Sequence, residues 1–254
     1  MYNNTIKLII TSTLILILTG CAGRAALLPG ETPPMHTVSE FSDDENVSRT
    51  HDPWEGLNRS MYKFNYEADR FVFIPVVSGY ETVVPRFART GVSNFFANIR
   101  EVRTFYNSIL QAKGKSSLVT LGRFLTNSTI GIGGLFDPAT AFGWRQEHED
   151  FDRTLETWGV DTGPYLVLPI LGPNTARSAA GLAVDGGVRW AIMSAIDPFG
   201  GTGARTEINM GTIALETVDL RHRESFRYYD SDYPFEYYMV RYLSSQERKL
   251  KILR

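Results

Sequence analysis

The chain opens with a short apolar run that is flanked by polar and small residues. Lys7 precedes a mostly apolar segment at residues 8–18, and Thr19 and Gly20 close it. A basic start, a short apolar run and a small-residue end are typical of a secretory signal peptide. The run is also too short to span a bilayer. We therefore expect residues 1–20 to be a signal peptide.

The next segment, residues 21–50, shows no hydrophobic period. It contains three prolines and the acidic run Asp43–Glu45, with few large apolar residues. Such a composition predicts a flexible tether rather than a packed element. Regular periodicity starts at Asp52. We assign residues 51–254 to the folded part, which is long enough for one sizeable domain or two small ones.

The first amphipathic pattern predicts a helix that begins at Asp52. An acidic N-cap followed by Pro53 at the first helical position is a helix-start signal. Apolar residues then recur at steps of four, three, four and three, on one helical face: Leu57, Met61, Phe64, Ala68 and Phe71. We expect the polar residues of this segment to cap and fix the helix: Asp52, Asn58, Arg59 and Asn65.

A longer apolar stripe follows Pro85 and predicts the main helix of the chain. The stripe consists of Val92, Phe95, Phe96, Ile99, Val102, Phe105, Tyr106, Ile109 and Leu110. We expect it to pack against neighbouring helices, because most amphipathic helices face a core, with insertion into a membrane as the alternative. A second helix is expected at Ser116–Ile130, with four apolar residues on one side: Leu118, Leu121, Phe124 and Leu125.

The remaining pattern predicts loops and three further helices. The glycine-rich stretch Gly131–Pro138 ends the preceding helix. Residues 143–152 are charged, and we expect them to be exposed. Residues 164–173 contain three prolines, which exclude a central strand and favour an extended, buried connector. The three helices are expected at Ala176–Ile196, Thr206–His222 and Tyr233–Ile252.

Composition and charge exclude several classes of function. The chain carries 26 basic and 28 acidic residues, which gives no electrostatic case for binding nucleic acid. Cys21 is its single cysteine, so the chain can form no internal disulfide and no cysteine-based metal cluster. The four histidines lack the i, i+4 spacing of a metal-binding pair. No Gly-x-Ser-x-Gly sequence marks a hydrolase. We therefore expect neither enzymatic activity nor a cofactor.

The end of the predicted signal peptide carries a second signal. Leu18, Thr19, Gly20 and Cys21 together resemble the lipobox of bacterial lipoproteins. The resemblance implies that Cys21 receives a diacylglyceryl thioether, becomes the first residue after cleavage and is then N-acylated. Because Ala22 follows instead of an aspartate, it also implies sorting to the outer membrane.

The stretch from Asp52 to Asn65 resembles the opening of the MlaA (VacJ) family of outer-membrane lipoproteins. Further matching stretches extend the resemblance to Pro173. The residues that carry the family signature are Asp52, Pro53, Glu55, Gly56, Asn58, Arg59, Met61, Tyr62, Phe64, Asn65, Gly131, Gly133, Gly134, Asp137, Gly163, Pro164 and Tyr165.

This resemblance implies an all-α, mostly helical fold: a ring-like single domain with an amphipathic central channel and few or no strands. The domain would lie in the inner leaflet of the outer membrane of a Gram-negative bacterium, lipid-anchored on the periplasmic side. It would remove mislocalised phospholipid from the outer leaflet. The lipid would pass to a soluble periplasmic carrier and then to an ATP-driven inner-membrane complex. Association with trimeric porins is also implied.

Several residues are candidates for this role. We expect the helix Val92–Leu110 and the turn Gly131–Phe136 to contact the membrane. Charges set among small apolar residues are candidates for the channel lining, with ordinary surface placement as the alternative: Arg177, Asp185 and Arg205. Two other functions stay open, a structural adaptor that binds porins without moving lipid and a lipid-cleaving enzyme.

Overall fold

The computed structural model describes residues 51–196, 205–229 and 235–252. The predicted signal peptide, Cys21 and the tether at residues 21–50 lie outside the described residues, so they stay predictions.

Helices dominate the part of the chain that is described. They are α1 Glu55–Ala68, α2 Ile74–Val83, α3 Arg86–Leu110, α4 Gly114–Thr129, α5 Pro138–Ala141, α6 Phe151–Thr157, α7 Ala176–Ile196, α8 Arg205–Arg223 and α9 Glu236–Ile252. A π-helical segment, Asp69–Phe73, joins α1 to α2. The mostly helical fold class is therefore confirmed, and α7 has the bounds that the sequence predicts. Among the described residues, no helix is both long enough and apolar enough to cross a bilayer.

The start of α1 differs from its prediction. The helix begins at Glu55, its N-cap is Trp54, and no side chain caps it. Asp52 instead accepts hydrogen bonds from Asn58 and from two residues of α9, Tyr237 and Arg241. The prediction that Asp52 is an N-cap is wrong, because this carboxylate joins the two ends of the domain sequence instead of satisfying a local amide.

The predicted extended connector is a β-hairpin. Strands β1 Tyr165–Leu168 and β2 Gly172–Thr175 pair antiparallel, with Tyr165 opposite Thr175 and Val167 opposite Pro173. The prolines exclude a central strand, and a two-stranded hairpin contains only edge strands. Pro173 is therefore tolerated, since each strand has one free edge.

A small aromatic core joins α1, the hairpin and α9. Its buried members are Tyr62, Tyr165, Val167, Tyr237, Tyr238 and Val240. The Tyr62 ring meets the rings of Tyr228, Tyr229 and Tyr237 edge to face, with centroids 4.9 to 5.8 Å apart. Such pairs stabilise a core beyond the area that they bury.

The two long helices α3 and α4 bury polar residues, and α4 also exposes its leucines. In α3 the buried residues are Phe96, Asn98, Glu101, Thr104, Asn107 and Ser108, and in α4 they are Ser117, Thr120, Arg123 and Asn127. Of the predicted stripe of α3, Phe96 alone is fully buried. The expectation that this stripe packs against neighbouring helices is therefore met in part: Ile109 and Leu110 are exposed, and the remaining members of the stripe are half-buried.

Residues 143–146 and His148 of the charged segment are exposed, as predicted, and the rest of residues 143–152 is half-buried or buried. The side chain of Glu149 is buried between the cations of Lys113 and Arg153, at 2.8 and 3.3 Å. Asp150 is half-buried and accepts a hydrogen bond from the amide of Arg153, which makes it the N-cap of α6.

Candidate functional site

Two asparagines of the family signature attach α1 to the β-hairpin. Asn58 accepts a hydrogen bond from the amide of Val167 at 2.8 Å and donates one to the carbonyl of Tyr165 at 3.1 Å. Asn65 repeats this pattern seven residues later, between the amide of Ile170 and the carbonyl of Leu168. Each amide side chain thus supplies a donor and an acceptor to the hairpin backbone, which an apolar side chain could not do.

Three other signature residues attach α1 to α9. The guanidinium of Arg59 pairs with Glu55 at 2.9 Å and lies 4.5 and 4.7 Å from the ring centres of Tyr237 and Tyr238. Tyr62 donates a hydrogen bond to Glu236 at 2.7 Å. Burial and this bond raise the pKa of Tyr62 well above its usual range. The signature at α1 therefore forms a junction between distant parts of the chain.

The glycine-rich turn after α4 needs its glycines for different reasons. A Cβ at Gly131 would lie 2.4 Å from the carbonyl oxygens of Asn127 and Phe136. At Gly134 it would lie 2.8 Å from Asn98, and the φ there is +92°. Gly133 has open space around it but a φ of +68°, which favours glycine.

Asp137 closes this turn onto α4. Its carboxylate accepts hydrogen bonds from Asn127 at 2.9 Å and Arg123 at 3.1 Å, and from the amide and hydroxyl of Thr140 at the start of α5. Burial opposes ionisation of this carboxyl, but the bonds from Thr140, Arg123 and Asn127 outweigh it and lower its pKa. Asp137 is therefore both the N-cap of α5 and a partner of a buried arginine.

That arginine, Arg123, is the centre of the polar interior between α3 and α4. It donates to Glu101 at 2.7 Å, to the carbonyl of Trp144 at 2.6 Å and to the hydroxyl of Thr140 at 3.1 Å, in addition to Asp137. Burial raises the pKa of Glu101 despite this ion pair. The sequence did not predict that Glu101 and Arg123 form a pair, since their positions along α3 and α4 also suit two exposed polar faces.

The outer faces of α3 and α4, with the turn between α4 and α5, form an apolar surface. Phe87 and Leu118 have exposed fractions of 80% and 73%. Other exposed members are Ile109, Leu110, Leu121, Leu125, Ile130, Ile132, Leu135 and Phe136. Many exposed apolar side chains on adjoining elements mark a protein, ligand or membrane contact. The apolar surface includes side chains of the turn Gly131–Phe136 and, from the helix Val92–Leu110, Ile109 and Leu110; the sequence predicts both segments to contact the membrane.

The opposite face of α3 meets α7 and α8 through polar side chains, which we call the polar seam. Ser93 bonds to Asp219, and Arg100 pairs with Glu216 at 3.3 Å. Arg189 of α7 reaches the same Glu216 at 2.5 Å. Polar and charged side chains therefore connect these three helices.

The three predicted channel residues lie in different surroundings. Asp185 lies at the end of the polar seam, where it accepts hydrogen bonds from Tyr106 at 2.5 Å, Asn107 at 3.2 Å and the amide of Phe151 at 3.1 Å. Arg205 is the first residue of α8, and its side chain lies outside what the structure describes.

Arg177 lies away from the seam, at the contact between α6 and α7. Its side chain pairs with Asp152 at 2.7 Å and Glu156 at 3.5 Å and donates to the carbonyl of Val160. The structure thus brings Asp185 into the seam and places Arg177 in a separate ion-pair network.

The remaining signature residues have mainly local roles. Gly163 has a φ of +71°, and the carbonyl of Pro164 accepts a bond from the amide that begins α7. Met61 packs against the aromatic core. The exposed members are Pro53, Gly56, Phe64 and Gly163. Among the described residues, no group of histidine, aspartate and glutamate side chains could hold a metal ion.

Comparisons with known proteins agree with this arrangement. Residues 50–251 match the family model described as MlaA lipoprotein. The chain is 35% identical over 164 residues to an uncharacterised protein of Rickettsia prowazekii, and the matched stretch covers 65% of this chain and 65% of that protein. The chain thus spans just under two thirds of the length of that relative.

Two further likenesses extend over more of the chain. It is 30% identical over 225 residues to the intermembrane phospholipid transport system lipoprotein MlaA of Haemophilus influenzae, which covers 87% of this chain and 82% of the relative. A solved structure, from work on the structural basis for maintenance of bacterial outer membrane lipid asymmetry, has a TM-score of 0.63 and 30% identity. It covers 79% of this chain and 98% of that one.

Proposed function

The chain belongs to the MlaA lipoprotein family, and from this premise we propose that it moves phospholipid out of the outer leaflet of the outer membrane and so maintains lipid asymmetry. The relatives support the substrate class, because one is a phospholipid transport lipoprotein and another is a structure that concerns lipid asymmetry. The role is that of a conduit without catalysis or cofactor.

The inverted distribution of polar and apolar residues carries this proposal. Leu118 and Leu125 of α4 are exposed, whereas Thr120, Arg123 and Asn127 of the same helix are buried. In water this arrangement is unfavourable, because each exposed leucine forgoes about 1.5–3 kcal/mol of burial. In hydrocarbon the outer face is solvated by acyl chains and the polar groups pair with each other, as the bilayer requires.

A conduit of this kind lowers the barrier to lipid movement. Pulling the two tails of a phospholipid through water exposes tens of methylenes, at about 0.8 kcal/mol each. Along this domain the tails stay next to apolar side chains while the head group passes polar ones. We propose that the polar seam with Asp185 lies on this path, and that Arg205 also contributes. The partner set of Arg177 favours a structural role for that residue.

Anchorage and partners complete the proposal. Lipids on Cys21 would hold the domain at the outer membrane, facing the periplasm, since acyl chains anchor a protein by burying methylenes. The direction of lipid movement must be set by other proteins or by the lipid gradient. We propose trimeric porins as neighbours in the membrane and a periplasmic carrier as acceptor, which passes lipid to an inner-membrane ABC complex.

Deletion and complementation test the proposal. Deletion should raise outer-leaflet phospholipid, measured by surface labelling of intact cells, and the wild-type chain should restore it. Ser93→Phe, which places a bulky ring in the polar seam, should fail to restore it at normal protein level. Ser60→Phe, on the exposed face of α1, is the matched control and should succeed.

Porin co-purification separates the conduit from the adaptor. A conduit requires Ser93→Phe to bind porin normally while outer-leaflet phospholipid stays high. Normal lipid asymmetry with Ser93→Phe, or with the deletion itself, would contradict transport and favour the adaptor.

A further inference from the structure

Four arginines surround the open side of the polar seam. Arg100 and Arg103 lie one turn apart on α3, Arg189 comes from α7 and Arg223 from the last turn of α8. We call them the arginine cluster. No sequence motif marks this cluster, because its members come from three helices and span more than 120 positions.

Two carboxylates face these four cations among the described side chains. Glu216 is shared between Arg100 at 3.3 Å and Arg189 at 2.5 Å. Asp219 pairs with Arg223 at 3.2 Å and also bonds to Ser93. Four guanidinium groups against two carboxylates leave an excess of two positive charges in the described part of the seam.

The next carboxylate along the seam, whose partners are neutral groups, lowers this excess to one positive charge. Asp185 is already held by Tyr106, Asn107 and the amide of Phe151. The Nε of Arg103 is buried without a hydrogen-bond partner. Burial, and next the nearby charge of Arg223, lower the pKa of Arg100. The cluster therefore has donors and positive charge to spare.

Other arginines of the domain differ in this respect. Arg221 binds both carboxylate oxygens of Asp69, and Arg123 has two carboxylate partners, Glu101 and Asp137. Both have a raised pKa, with hydrogen bonds to these partners among the causes. In the cluster, by contrast, the side chains of Arg189 and Arg223 keep exposed fractions of 38% and 41%. They can reach a ligand without breaking the fold.

We propose that the arginine cluster binds the phosphate of a phospholipid head group. A guanidinium fork matches the oxygens of a phosphodiester and binds them through two parallel hydrogen bonds. The exposed fork of Arg189 lies at Glu216, and that of Arg223 lies at Asp219, one turn further along α8. We expect one phosphate to be held by both. The excess positive charge favours a head group with a net negative charge. This inference rests on the proposed function, which supplies the lipid.

Soluble short-chain lipids test the site in the full lipoprotein in non-ionic detergent. The probes are dihexanoyl phosphatidylglycerol, dihexanoylglycerol, which lacks the phosphate, and inorganic phosphate, with binding measured by calorimetry. The variant is Arg189→Gln with Arg223→Gln. The matched control is Arg145→Gln, in the exposed segment before α6. A third variant, Arg189→Lys with Arg223→Lys, keeps the charge and removes the forks.

We expect the double glutamine variant to bind the phospholipid at least tenfold more weakly, while its binding of dihexanoylglycerol changes less than twofold. The lysine variant should fall between it and the wild type, and the control should match the wild type. Unfolding midpoints close to that of the wild type establish that the variants fold.

Three results would contradict the proposed site, its ligand or the proposed function. Equal binding of the phospholipid by the wild type and the double glutamine variant refutes the site and leaves the transport proposal intact. Equal affinity for inorganic phosphate and for phospholipid would assign the cluster to free phosphate. No phospholipid binding by the wild type would contradict the proposed function itself.

Discussion

Arg123 on α4 donates a hydrogen bond from Nε to Glu101 on α3 at 2.7 Å, and the exposed fractions of the two side chains are 2% and 1%. The pair lies between these two helices, of which α4 exposes its leucines. It takes the place that leucines would occupy between helices of a water-soluble bundle.

Removing one member of this pair should strongly destabilise the domain. Arg123→Met leaves the Glu101 carboxylate buried without a cation, which typically costs about 3–5 kcal/mol. Replacing both, with Arg123→Met and Glu101→Leu, should recover most of that loss. Denaturant unfolding in detergent measures the stability of the single and the double variant. Strictly additive losses would show that the two residues do not act as a pair.

The two asparagines of α1 should protect separate amides of the hairpin. Asn58→Ala frees the amide of Val167, and Asn65→Ala frees that of Ile170, at about 1–3 kcal/mol each. Hydrogen exchange followed by NMR should show faster exchange at the amide belonging to each substitution. Ser60→Ala, on the exposed face of the same helix, should change neither amide. Equal acceleration of both amides by either variant would indicate general loosening.

Alanine substitutions at two glycines of one turn should differ in how much stability they cost. Gly133→Ala meets no neighbour but must keep a positive φ, at about 1–2 kcal/mol. Gly131→Ala forces its Cβ against two backbone oxygens and should lose about 3 kcal/mol of stability. Denaturant unfolding of both variants gives the comparison. A loss from Gly131→Ala no larger than that from Gly133→Ala would contradict the tight turn.

Alkaline pH should weaken the aromatic core. Burial, and next the charge of Asp69, raise the pKa of Tyr228 to about 12, from the 10.0 of an unperturbed phenol. The contribution of Tyr228 to the free energy of unfolding is complete below pH 10, because the phenol is then protonated in both the folded and the unfolded state. Above pH 10 the unfolded state loses the proton first, so the contribution declines by about 1.4 kcal/mol per pH unit until about pH 12.

Tyr228→Phe should remove this part of the pH dependence. The free energy of unfolding, measured from pH 9 to 12, should fall less steeply in this variant than in the wild type. Tyr242→Phe, at an exposed tyrosine of α9, should keep the slope of the wild type. An unchanged slope for Tyr228→Phe would show that this phenol does not titrate differently on unfolding.

The sequence predicts the helices well because their period is local. The bounds of α7 match the prediction, and α4 differs from it by one or two residues. The same period could not predict which face is buried. An apolar stripe such as that of α3 faces the protein interior in a water-soluble protein and faces the acyl chains in a membrane protein. The pattern alone does not indicate which solvent surrounds the helix.

Long-range contacts were beyond sequence reasoning for a different reason. Asn58 and Val167 are separated by 109 positions, and the bonds from Asp52 to α9 span 185 or more. The signature marked Asn58 and Asp52 as notable without naming their partners. Glu101 carried no mark, because a charged residue within an amphipathic helix is usually exposed. Arg123 begins a stretch that resembles the family, but its partners could not be read from the sequence.

The central claim is that the apolar surface of α3 and α4 faces acyl chains. Spin labels at Leu118, Leu125 and Ile132, in the lipoprotein reconstituted into bilayers, test it by their accessibility to oxygen and to a water-soluble nickel complex. A label at Arg145 provides the aqueous reference. We predict high oxygen and low nickel accessibility at the three apolar positions. Nickel accessibility equal to that at Arg145 would contradict the account.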